Sequence, residues 1–143
     1  MSDDRRPRRI LRSAGALLAG MFTGIVLSLG TDWLLQAAGV FPPLGQPAGN
    51  GALALATIYR SVYGVLGAYI TALLAPDRPM QHALQLGLLG LLVSLAGAIA
   101  TWNKEAIFGP HWYPVALVVL ALPTAWLGGK LRVNQWSGAR LAS

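Results

Sequence analysis

Four long apolar stretches divide this chain, and two of them carry one charge each. Asp32 lies near the end of the first, in Leu27-Ser28-Leu29-Gly30-Thr31-Asp32-Trp33. Arg60 lies near the start of the second, in Ala56-Thr57-Ile58-Tyr59-Arg60-Ser61-Val62-Tyr63. An apolar run of about 20 residues is what a helix needs to cross a bilayer. A lone charge inside such a run costs about 2.5–3.5 kcal/mol on insertion scales. A Pro/Gly-rich segment joins the two runs, so they form an antiparallel pair. With the loop running from near Gly39 to near Gly51, each charge falls about two turns, roughly 10 Å, inside its helix. The charges then meet at similar depth, and each supplies what the other lacks.

Only 11% of the 143 residues are charged and mean hydropathy is +0.53, whereas soluble domains carry about 25% charged residues. The expected fold is therefore all-α: an integral membrane bundle of four transmembrane helices at about 13–38, 53–74, 81–102 and 112–131. No separate soluble domain fits beside them. The net charge of +6 does not point to nucleic acid, because the basic residues cluster at the ends of the apolar runs. Arg5, Arg6, Arg8, Arg9 and Arg12 precede the first run, Arg78 lies between the second and third, and Lys130, Arg132 and Arg140 follow the last. Those nine lie on one side and Lys104 alone on the other, so the positive-inside rule puts both termini in the cytoplasm. Residues 1–12 are expected to be a disordered basic cytoplasmic tail and 132–143 a second basic tail, both touching anionic lipid. A cleaved signal peptide is rejected: the run from Ser13 to Leu35 exceeds an h-region of about 7–15 residues, and Ala37-Ala38-Gly39 is a weak cleavage pattern.

Small residues fall at helical spacing on three of the runs. Gly20, Gly24, Ser28 and Asp32 share one face of the first, and Arg60, Gly64, Gly67 and Thr71 one face of the second. In the third, Gly87, Gly90, Ser94, Gly97 and Thr101 repeat like a heptad seam, which predicts tight packing against a neighbour. Pro123 inside the fourth run removes the N–H that would reach Val119, and Gly128-Gly129 should loosen the end of that helix.

No motif for catalysis is present. The chain has no cysteine, which excludes disulfides and thiolate chemistry. His82 and His111 fall at opposite faces, so they cannot share a metal; no metal or other cofactor is expected. His111 reads as a surface loop residue with no carboxylate to orient it, and Glu105 as solvated beside Lys104. Polar and aromatic residues gather at the external end: Asp32, Trp33, Tyr59, Arg60, Tyr63, Trp102, His111, Trp112 and Tyr113. The aromatic ones suit an interfacial belt.

The simplest reading of Asp32 and Arg60 is a structural ion pair that fastens the first helix to the second. The alternative is an outward-facing site in which Arg60 holds an anionic headgroup or carboxylate, with Tyr59 and Tyr63 as walls. Proton coupling through Asp32 is disfavoured, because a neighbouring arginine stabilises the carboxylate. Three functions follow, in order: a non-enzymatic accessory or structural membrane component; a small transporter or lipid/anion-binding protein using Asp32, Arg60 and Tyr63; and an enzyme acting on lipid at the external leaflet with His111 and Asp32. Besides the bilayer, partners could be a second copy of the chain or another membrane protein.

The segments Tyr-Arg-Ser-Val-Tyr (59–63), Leu-Ala-Pro-Asp-Arg-Pro-Met (74–80), Thr-Trp-Asn (101–103), Gly-Pro-His-Trp-Tyr-Pro (109–114) and Trp-Leu-Gly-Gly-Lys-Leu (126–131) give the chain a further context. Over about residues 13–132 it resembles a group of small four-helix bacterial inner-membrane proteins with no established activity. The resemblance implies a bacterial inner membrane and a four-helix bundle, and no site residue.

Overall fold

The computed structural model describes residues 5–142. Five helices follow in order: α1 (Arg5–Ala37), α2 (Asn50–Leu74), α3 (Pro79–Thr101), the short α4 (Glu105–Phe108) and α5 (Trp112–Leu141). No strand occurs among the described residues. The four long helices are each long and apolar enough to cross a membrane. Even α3, with 23 residues, is about 35 Å long at 1.5 Å per residue, against a hydrocarbon core of about 30 Å.

The outer two helices run past their expected limits. Residues 5–12, expected to be a disordered tail, are the first two turns of α1. Arg and Leu are good helix formers, and Pro7 falls in the first turn, where its missing N–H has no intrahelical acceptor to lose. Residues 1–4 of that expected tail lie outside the described residues. At the other end, residues 132–141 continue α5, because no proline follows Pro123 to stop them. Ser143 lies outside the described residues.

Gly128 and Gly129 do not loosen α5; they are its packing surface. A Cβ on Gly128 would lie 2.7 Å from Ala68 Cβ and 2.8 Å from Tyr69 N, and one on Gly129 would lie 2.8 Å from Ala83 Cβ. The same closeness joins α1 to α2, where a Cβ on Gly67 would lie 2.7 Å from Gly20 O. Thr71, fully buried, donates its hydroxyl to Ala16 O at 3.1 Å across that contact. Helix α2 is thus the centre of the bundle, with α1 on one side and α5 on the other. Helix α3 packs chiefly on α5, and α1 meets α3 only lightly.

The core is built of small side chains, with Ala68, Ala72, Ala83 and Ala125 clustered at its centre. Large apolar side chains such as Phe22, Leu29, Ile58, Val93 and Ile99 point outward. The α3 seam is filled only in part. Gly87 abuts Ala125, but Gly90 and Gly97 face open space. The expected tight packing along that whole seam is therefore absent.

The basic ends gather at one end of the bundle. Arg9 of α1 pairs with Asp77 of the α2–α3 turn at 2.8 Å, and Tyr69 of α2 donates to Gln135 of α5 at 2.7 Å. His82, buried at the same end, lies 2.9 Å from Ser13 Oγ and ties α3 to α1.

Candidate functional site

At the opposite end, α1 and α2 bring five polar side chains together. Asp32 and Thr31 come from α1; Tyr59 and Arg60 come from α2, with Tyr63 one turn further along. Arg60 Nη2 donates to Asp32 Oδ2 at 2.5 Å, and Tyr59 donates its hydroxyl to Asp32 Oδ1. Both carboxylate oxygens are therefore engaged. The Tyr63 hydroxyl shares a hydrogen bond with Thr31 Oγ1 at 2.8 Å. The rings of Tyr59 and Tyr63 lie 5.8 Å apart and tilted, as expected for aromatic residues at i and i+4 on one helix face.

The pair is not sealed. The side chains of Arg60 and Asp32 are 34% and 28% exposed. Within the guanidinium Nη2 holds Asp32, the side chain also meets Tyr59, and Nε is buried without a partner among the described residues. Arginine carries five N–H donors, so part of its donor capacity is unused.

Beside Arg60 lies a cavity of about 400 Å³ walled by all four long helices. This size falls within the range of small-molecule sites, about 300–1,000 Å³. Gly24 and Ser28 line it from α1, Gly64 from α2, Gly90 and Ser94 from α3, and α5 closes the far wall. From Gly20 to Leu29 it follows ten residues of α1, nine rises or about 14 Å of helix. Gly90 leaves the α3 wall open, since a Cβ there would meet nothing within 4 Å, whereas a Cβ on Gly64 would lie 3.1 Å from Thr124 Oγ1. Most of its polar groups are occupied: Ser61 donates to Thr57 O and Thr124 to Leu120 O. Ser28 and Ser94 are not; neither has a hydrogen-bond partner among the described residues.

His111 stands apart from this cluster, in the loop before α5. Its Nδ1 lies 2.7 Å from Glu105 Oε1, its Nε2 lies 2.6 Å from Trp102 O, and its ring stacks on Trp102 at 4.1 Å. The expectation that no carboxylate orients His111 is thus overturned, while Glu105 is exposed, as expected. The turn α4 folds the loop back and sets Glu105 against the imidazole. Trp112 adds a second tie by donating to Asn50 Oδ1 at 2.9 Å, which joins the two loops at this end. Among the described residues no group of three His, Cys, Asp or Glu could hold a metal.

Sequence reasoning missed the cavity and the two free serines. Ser28 was visible on the small-residue face with Gly24, but no pattern said that the opposite helix would stand off from it. Comparison with protein-family models, curated proteins and solved structures returns no match to this chain.

Proposed function

We propose that this chain is a multi-pass protein of the bacterial cytoplasmic membrane, with both termini inside, that binds a membrane-borne molecule in the cavity between α1 and α3. The reading is non-enzymatic. The apolar exterior over a core of small residues supports membrane insertion. The nine basic residues at one end against Lys104 at the other support the orientation. One observation carries the binding reading: a cavity of about 400 Å³ lies beside the intramembrane arginine, at the side where α1 and α3 barely touch. A bundle that needed only a fastener would close there, because Ser28, Gly90 and Ser94 are small enough for close helix approach.

The test is to purify the protein in mild detergent and analyse what it carries. A membrane molecule should accompany it in near-stoichiometric amount. Gly90 faces open space and lines the cavity, so Gly90→Phe should fill the chamber and expel the molecule while the bundle stays folded. Cargo undiminished in Gly90→Phe, or no cargo in the parent, overturns the binding reading.

A second reading has its own observation. Gly90 and Gly97 form an unfilled small-residue ridge on α3, which suits the helix of another membrane protein. A stoichiometric protein partner in the same extraction, with no bound small molecule, would favour the accessory-component role.

A further inference from the structure

The identity of the occupant can be narrowed by charge and hydrogen-bond matching, resting on the binding reading above. We infer that the cavity takes an electrically neutral amphiphile: one apolar tail, and a head that carries an uncharged oxygen able to accept and donate hydrogen bonds. The arginine alone would suggest an anion. The structure argues against that, because Asp32 already neutralises Arg60 at 2.5 Å. An incoming anion would give the site a net negative charge in a region lined by apolar groups, where no lysine or arginine besides Arg60 lines the cavity. Uncompensated charge is costly there. A neutral oxygen meets no such cost.

The available partners fit a head of that kind. Arg60 offers spare guanidinium donors, while Ser28 from α1 and Ser94 from α3 each offer a hydroxyl that can donate or accept. All three line one chamber, and neither serine hydroxyl is engaged elsewhere among the described residues. Every other feature of the wall suits a hydrocarbon: Ile25 and Leu29 on one rim, Leu89 and Val93 on the other. Leu29 and Val93 are 62% and 70% exposed, so the rim is continuous with the apolar exterior. A tail can therefore enter sideways between α1 and α3, without its head passing through water.

Three photo-crosslinking probes with identical alkyl chains would test this on the full chain in lipid nanodiscs. Their ends are a hydroxyl, a sulfonate (permanently anionic) and a methyl. Labelling is mapped to cavity-lining positions of α1 and α3 and compared with outward positions such as Phe22 and Ile99. The hydroxyl probe should label the cavity about tenfold more than either other probe, the effect of roughly one net hydrogen bond. In the variant Ser28→Ala/Ser94→Ala, that advantage should fall to about the level of the methyl probe. The two serine hydroxyls bond to nothing among the described residues, so their loss should leave folding intact, which the unfolding midpoint checks. Equal cavity labelling by all three probes, or a preference for the sulfonate, overturns the neutral-head inference and leaves cavity binding standing. An advantage unchanged in the double variant overturns the role of the serines and with it the inference. Absence of cavity labelling by every probe overturns both this inference and the binding reading.

Discussion

Replacing Asp32 by Asn tests the energetic coupling at the centre of the bundle. Asparagine keeps the shape and can still accept from Tyr59, but it leaves the charge of Arg60 without a counter-ion. Breaking a buried pair from one side costs about 3–5 kcal/mol. Here the side chains are 34% and 28% exposed, so screening reduces the loss to about 1.5–3 kcal/mol. Arg60→Gln leaves the carboxylate with Tyr59 as its only donor and should cost a similar amount. The double variant Asp32→Asn/Arg60→Gln carries no charge, and its two amides can bond to each other. It should lie within about 1 kcal/mol of the parent, which against the summed single losses implies a coupling energy of about 2–6 kcal/mol. The assay is equilibrium unfolding in mixed micelles of increasing SDS fraction, followed by circular dichroism, for all four proteins. If the single losses simply add, within about 0.5 kcal/mol, the two side chains do not support one another and the fastener argument fails.

The glycine contacts make a paired prediction. Gly67→Ala should destabilise the bundle by about 1–3 kcal/mol, the range for overpacking, because its Cβ would lie 2.7 Å from Gly20 O. Gly97→Ala, which meets nothing within 4 Å, should change the same unfolding midpoint by no more than about 0.5 kcal/mol. Removing the hydroxyl that bridges α1 and α2, in Thr71→Val, should cost about 0.6–1.7 kcal/mol, as interhelical hydrogen bonds in membrane bundles do. At the external loop, Glu105→Gln removes the carboxylate from His111. Hydrogen exchange over residues 103–111 should then quicken while α2 and α3 stay protected; unchanged exchange would show that the contact does not order the loop.

The helices and their facing sides were legible because the physics that sets them is local. A run of Leu, Ala and Val sets a helix, and Gly20, Gly24 and Gly67 mark the faces where two backbones approach. That Asp32 and Arg60 would meet could be read from rise per residue and the loop between their helices. The ends of α1 and α5 could not, since basic residues mark a water boundary without ending a helix; only a proline or an unsatisfied turn does that. Gly128 and Gly129 illustrate the same ambiguity in the other direction. A glycine pair near a helix end signals either fraying or close packing, and the difference lies in Ala68 and Ala83, about 60 and 46 residues away in sequence. The pairing of Glu105 with His111 depends on one short turn that composition does not reveal. The cavity depends on what α3 fails to touch, and a sequence pattern records only what a face could pack against.

In the function proposed above, fastening and binding are not rival roles for Arg60, because they would use different atoms. Fastening takes Nη2 and both oxygens of Asp32, with Tyr59 as the second donor. That fixes the guanidinium against α1 and holds it beside the chamber. It leaves Nε without a partner among the described residues, and unpaired donors in an apolar setting are destabilising unless water or another molecule supplies an acceptor. A bundle selected only for stability would do as well with apolar side chains at both positions, since replacing a buried pair by hydrophobic residues is often neutral or stabilising. The position of the pair beside a cavity supports the proposed use for the spare donors. On this argument Asp32 serves two ends at once: it anchors the arginine and it cancels its charge, so that what remains at the chamber wall is hydrogen-bonding capacity without net charge.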